Sequence, residues 1–121
     1  METTLQHQDR LRYAEVYVSD ILELKNLFLK KFGRDRINEN FGIPFMLIKK
    51  DNKLKAFASL IINPNNQIGF EIYEFSDLTM KEKKDFRAEA DDYFKRNNSG
   101  NFRNPEQLKS SIHEMINWLN L

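Results

Sequence analysis

Residues 44–75 read PFMLIKKDNKLKAFASLIINPNNQIGFEIYEF, and this stretch decides the fold. Phe45 to Ile48 is a continuous apolar run, as in a strand covered on both faces. Asp51-Asn52 suits a two-residue hairpin turn, because both residue types tolerate positive φ. Leu54 to Ile62 alternates as a second strand. Asn63-Pro64-Asn65-Asn66 supplies the next turn, with proline at its second position. Gln67 to Phe75 is the third strand. Residues 44–75 are therefore an antiparallel meander.

The apolar pattern also predicts a register. Setting Lys50 opposite Lys53 places Phe45 and Leu47 on one face with Ala56 and Ala58, and Met46 and Ile48 on the other with Phe57. Setting Ile62 opposite Ile68 puts Leu60 by Phe70, Ala58 by Ile72 and Phe57 by Tyr73. A slip of one residue would pair Lys55 with Glu74 but mix polar and apolar groups on each face. Both faces carry apolar groups, so helices or a partner chain must cover both. Gly69, inside the third strand, suits a bulge, a close backbone approach or packing under a bulky neighbour.

Upstream, residues 11–18 are β-branched and aromatic and read as a strand. Ser19 and Asp20 are candidate caps for a helix, with Glu23 three residues after Asp20. Ile21, Leu24, Leu27, Phe28 and Phe32 recur at helical spacing, and Gly33 suits the helix end. A short turn carrying Ile37 and Phe41 ends at Gly42. Downstream, Thr79-Met80-Lys81-Glu82 reads as a capping box. Phe86, Ala90, Tyr93 and Phe94 follow on one stripe, and the polar run at 97–101 breaks that helix. Asn104-Pro105-Glu106-Gln107 opens a last helix, on which Leu108, Ile112, Met115, Ile116 and Leu119 are the buried stripe. The fold class is α+β: a central antiparallel sheet of three to four strands in the order β-α-(α)-β-β-β-α-α. Residues 1–10 read as a flexible polar tail, and 11–121 as one domain.

The chain has 121 residues, 40% of them hydrophobic, 15 aromatics and a net charge of +1. Such a chain can bury a core without staples. Near-neutral charge gives no long-range attraction for nucleic acid or anionic lipid. There is no cysteine, which removes disulfides, thiolate zinc sites and a cysteine nucleophile together. No apolar run approaches the ~20 residues of a membrane span, and Met1 to Arg10 holds no secretory apolar segment. These features predict a cytoplasmic protein, and the abundance of Asn, Lys and Ile suggests a bacterial source.

Few residues are placed for chemistry. The two histidines, His7 and His113, have no second ligand at helical spacing, and no metal is expected. The four glycines, at 33, 42, 69 and 100, are too scattered for a phosphate loop. Glu71, Tyr73 and Glu74 are the candidates for acid–base work. Glu71 is read as partly buried beside Phe57 and Tyr73, where a raised pKa would make it a base. Lys49, Lys50, Lys53 and Lys55 form a basic patch at the first hairpin, with Lys81, Lys83, Lys84 and Arg87 as a second group. Phe57, Ile61, Tyr73 and Phe75 are the candidate partner surface.

The order strand, helix, short helix, three antiparallel strands, helix resembles the front half of the GNAT acetyltransferase fold. Residues 44–75 are similar to that family's second to fourth strands. The resemblance implies an acyl-CoA-dependent N-acyltransferase with a glutamate base on the fourth strand, where Glu71 or Glu74 stands. It also implies a glycine-rich loop after that strand, whose amides hold the cofactor's pyrophosphate. Here Ser76 to Lys81 contains no glycine, and no fifth strand follows. The leading expectation is accordingly a non-catalytic domain without cofactor, acting through an unknown protein partner or as a homodimer. A transferase with an atypical loop and a nucleic-acid module using the hairpin lysines are the alternatives.

Overall fold

The computed structural model describes residues 11–75 and 78–121; the tail at 1–10 lies outside them. The described elements are β1 (Leu11–Glu15), α1 (Val18–Phe32), a 3-10 turn (Glu39–Phe41), β2 (Ile43–Lys50), β3 (Lys53–Ile62), β4 (Ile68–Glu74), α2 (Met80–Arg96), α3 (Gly100–Arg103) and α4 (Pro105–Leu119). The strands form one antiparallel sheet in the order β1-β2-β3-β4. The α+β class and the element order are those expected. No helix among the described residues is long and apolar enough to cross a membrane.

Both tight turns form as their residues dictate. Asp51 and Asn52 adopt φ of 55° and 66°, the pair of positive values that matches the twist of the flanking strands. At the second turn the Asn63 side-chain oxygen accepts from the amides of Asn65 and Gln67. The β3–β4 register is the expected one, with Phe57 opposite Tyr73, Leu60 opposite Phe70 and Ile62 opposite Ile68. Glu74 stands opposite Ala56, so the alternative pairing with Lys55 is not adopted.

The β2–β3 register departs from expectation beyond the first pair. Lys50 does oppose Lys53, but the ladder shifts between Ile48 and Lys49. Ile48 then faces Ala56, Leu47 faces Phe57 and Met46 faces Ala58. One extra residue on β3 rotates all that follows by one position. Met46 and Ile48 thus join Ala56, Ala58 and Leu60 on one face, while Leu47 joins Phe57 on the other. A second irregularity between Pro44 and Met46 puts Phe45 on the same face as Met46. Gly69 pairs regularly with Ile61, and a Cβ there would meet no heavy atom within 4 Å, so neither bulge nor close packing explains it.

The first strand is shorter than expected, ending at Glu15, because the helix starts earlier. Asp20 is not its cap; its carboxylate reaches back to the Tyr17 amide at 2.9 Å. There it also meets the positive end of the helix dipole. Gly33 closes α1 at φ 60°, with the Arg34 amide returning to the Leu29 carbonyl, a left-handed closure that glycine permits without strain. The starts of α2 and α4 are as expected. Thr79 and Glu82 cap α2 reciprocally, and Asn104 accepts from the amides of Glu106 and Gln107 behind Pro105.

Each face of the sheet is covered by the chain's own helices. On one, Ile21, Leu24 and Phe28 of α1 pack with Ile37, Phe41, Leu47, Phe57 and Tyr73. On the other, Phe86 and Ala90 of α2, Phe102 of α3, and Leu108 and Ile112 of α4 pack over β2 and β3. Helix α4 runs past the end of the sheet, since its last buried residue, Leu119, belongs to the α1 side. Ile37 and Asn120 exchange two hydrogen bonds of 2.9 Å, and Lys25 donates to the Leu119 carbonyl at 2.6 Å.

The segment before β2 lies hard against the sheet. Ser59 donates to the Phe41 carbonyl and Tyr73 to the Asn40 carbonyl. Gly42 has φ 65° and ψ −149°, a region essentially reserved for glycine. A Cβ at Gly42 would lie 2.1 Å from the Leu60 carbonyl oxygen. Gly42→Ala should therefore destabilise the fold by about 3 kcal/mol or more, whereas Gly69→Thr should be neutral or stabilising by about 0.5 kcal/mol. Urea denaturation of the two variants checks both.

Glu82 joins two elements at once: it caps α2 and makes a 3.0 Å ion pair with Lys50 of β2. The backbone hydrogen bond from Thr79, helped by Lys50, holds its carboxyl below the usual glutamate range. A lowered native pKa gives stability that is present above the unfolded value, about 4.3, and lost as pH falls through the native one. Glu82→Ala should cost about 1–2 kcal/mol at neutral pH and less in acid, as thermal melts across pH 3–7 would show.

Candidate functional site

The candidate acids stand on β4, one of the two outer strands of the sheet. Alternation sends Glu71 and Tyr73 to the α1 side and Glu74 to the α2 side. Tyr73 is buried, 8% exposed, with its ring edge-on to Phe28 at 5.2 Å and to Phe32 at 5.7 Å. Glu71 is exposed rather than partly buried. It sits at the rim of a cleft of about 260 Å³ whose wall includes Phe28, Phe32, Arg34, Asn40 and Tyr73. Glu71 shares the face of Tyr73, as the alternation predicts. Glu74 pairs with Lys83 at 3.4 Å across to α2.

The Tyr73 hydroxyl is the group whose chemistry is most altered. Burial, and then the negative charge of Glu71, push its pKa up to about 12. A phenol held neutral that strongly donates a hydrogen bond to the Asn40 carbonyl and is no acid at neutral pH.

The other candidates separate in space. Phe57 is wholly buried, with rings of Phe41, Tyr73 and Phe75 within 5.7 Å. The four residues Phe57, Ile61, Tyr73 and Phe75 therefore do not form one exposed surface; α1 lies over the first and third. Of the hairpin lysines, Lys50 is tied to Glu82, and Lys49 and Lys50 are half-buried while Lys53 is exposed. His113 is exposed on α4 and lines a cleft of about 360 Å³ with Glu39, Asn40, Ile61, Ile62 and Lys109. Among the described residues no three His, Asp or Glu side chains gather where a metal ion could sit.

The chain matches no family model, no curated protein and no solved structure.

Two features add to the sequence-based candidates. One is a set of exposed apolar side chains where α1 begins and α4 ends: Val18 is 77% exposed, Leu22 59% and Trp118 46%, with the last residue, Leu121, fully exposed. Val18, Leu22 and Lys25 share one stripe of α1, and Lys25 is bonded to the end of α4. Trp118 lies three residues beyond Met115, which packs on the α1 side. The signal was in the sequence: Val18, Leu22 and Trp118 are among the apolar residues that fall off the buried stripes, as is Met80 on α2. The second is a gathering of cations beside β4, where Lys30 and Lys31 of α1, and Arg34 just past its end, join Lys83, Lys84 and Arg87 of the second basic group on α2.

The raised tyrosine pKa has a measurable result. Stability from a group whose native pKa lies above its unfolded value of about 10 is held below that value. It is lost as pH rises from about 10 to about 12. In a spectrophotometric titration of the native protein, Tyr73→Phe should remove the last phenolate to form, and should flatten the loss of thermal stability above pH 10.

Proposed function

We propose that this chain is a non-catalytic domain that works through protein contact. The observation that carries the reading is the apolar set at the meeting of α1 and α4. Val18, Leu22 and Trp118 are large apolar groups held in water on two helices joined through Lys25 and the Leu119 carbonyl, and Leu121 stands exposed just past the second. Scattered exposed apolar residues need no explanation, but a group of them with a tryptophan is the composition of an interface centre.

The element order supports a finer version, in which the domain is the front half of an acetyltransferase-like fold put to a binding use. In that fold the cofactor lies between the fourth strand and a fifth. Here α2 follows β4 directly, and no described strand lies beyond it. The glutamates available for proton transfer are one exposed residue and one paired with lysine.

The test is affinity capture with the tagged full chain beside a Leu22→Glu/Trp118→Ala variant. The wild type should retain a protein that the variant loses, with circular dichroism unchanged, since both sites are exposed. Equal capture by both, or none by either, would overturn the reading. A melting-temperature rise with millimolar acetyl-CoA would replace it with the transferase, because ligand at 100-fold its dissociation constant adds about 2.7 kcal/mol.

A further inference from the structure

The outer edge of β4 is a second surface, separate from the α1–α4 apolar set. Hydrogen bonds from Phe75 to the Lys55 carbonyl, 2.8 Å, and from Asn63 to the Gln67 carbonyl, 2.9 Å, bracket the β3–β4 ladder. In an antiparallel pair the inward-bonding residues alternate with outward-bonding ones. Residues 69, 71 and 73 therefore turn their amides and carbonyls toward β3. Ile68, Phe70, Ile72 and Glu74 turn theirs away from the sheet. The Glu74 carbonyl is taken by Lys31 at 2.8 Å. The outward groups of Ile68, Phe70 and Ile72 have no partner among the described residues. This is an open template for one more strand.

Charge frames that template on both faces. On the α2 side a groove of about 580 Å³ runs along Ile72 and Met80 beneath Lys83, Lys84 and Arg87. Arg87 lies over the Phe70 ring at 5.9 Å. On the α1 side stand Lys30, Lys31 and Arg34. The acids near them are few: Glu71 is exposed, Glu74 is paired with Lys83, and Asp85 is paired with Lys81. Lys30, Arg34 and Lys84 have no anionic partner among the described residues. In a chain whose net charge is +1, this is a local concentration of positive charge beside unpaired backbone.

We propose that the β4 edge takes up an extended acidic peptide segment of a partner protein as a fifth strand. Its backbone pairs with Phe70 and Ile72. Its carboxylates fall beside Lys83, Lys84 and Arg87 on one face and Lys30, Lys31 and Arg34 on the other. Main-chain pairing supplies affinity, and the two basic rows supply selection for acid. The lysines that keep the edge from pairing with a second copy of itself by like-charge repulsion are the same ones that admit an acidic strand.

The test uses the full chain and a capped octapeptide of the pattern Glu-Glu-Val-Val repeated twice, which places carboxylates on both faces of a strand, with the matching Lys/Val octapeptide as control. Amide hydrogen exchange is read by NMR. With the acidic peptide, exchange at Phe70 and Ile72 should slow by about tenfold or more, while residues 69, 71 and 73, already bonded to β3, change little. Affinity should fall by about tenfold between 50 and 500 mM salt. The exposed-site variants Lys84→Glu/Arg87→Glu and Lys30→Glu/Arg34→Glu should each weaken binding by about tenfold or more without changing the melting temperature. Absent protection at Phe70 and Ile72, equal binding of the Lys/Val peptide, or tighter binding of a single-stranded oligonucleotide would each overturn the proposal. None of those results would bear on the α1–α4 surface, which these variants leave intact.

Discussion

The hairpin of β2 and β3 is shut off from water on both sides, and the architecture follows from that. Every side chain from Phe45 to Ile48 is buried, as is every one from Ala56 to Leu60. Burying one large apolar side chain is worth about 1.5–3 kcal/mol, so leaving either face open would forfeit several such contributions. Helix α1 cannot cover both faces, because it lies on one side only. The second face therefore falls to α2, α3 and the start of α4, and α4 must pass the end of the sheet to finish on the α1 side. The exchange of hydrogen bonds between Ile37 and Asn120 fixes that passage.

What could be read from the sequence was whatever is decided within a few residues. The Asp51-Asn52 turn, the Thr79 and Asn104 caps and the Gly33 closure each depend on local backbone chemistry, and all formed as expected. The β3–β4 register was legible because Gly69, Glu71 and Glu74 interrupt the apolar pattern, so that a slip has a visible cost. The β2–β3 register was not. Between Phe45 and Ile48 every position is apolar, so a shift of one residue costs nothing that patterning can detect. The shift is set instead by cover: it aims Met46 and Ile48 at α2 and Leu47 and Phe57 at α1. The start of α1 was misplaced for a similar reason, since Tyr17 and Val18 look like strand residues until the Asp20 carboxylate turns back on them.

The candidate site was legible in face but not in depth. Alternation correctly put Glu71 with Tyr73, but exposure depends on how far α1 reaches. Phe28 and Phe32 cover Tyr73 and stop short of Glu71. The same helix buries Phe57, which patterning alone presents as surface. Closing both faces takes most of the sheet's apolar groups out of water. What the helices leave exposed is the side of α1 that turns away from the core, and the edges of the sheet.

Those edges are not equivalent. Along β1, Tyr13 of the α2 side rests on Phe86 at 5.9 Å, and the strand is only five residues long. β4 is seven residues long, and alternate residues offer backbone groups outward over most of that length. A long exposed edge is hazardous because it pairs with whatever strand it meets. Cations along both flanks reduce that hazard selectively: they repel a second copy of the same edge and attract an acidic one. The net charge of +1 conceals this, because the 18 acids are spread over the whole chain and offset the 19 basic residues in the total. Placement makes β4 the chemically selective edge of the sheet.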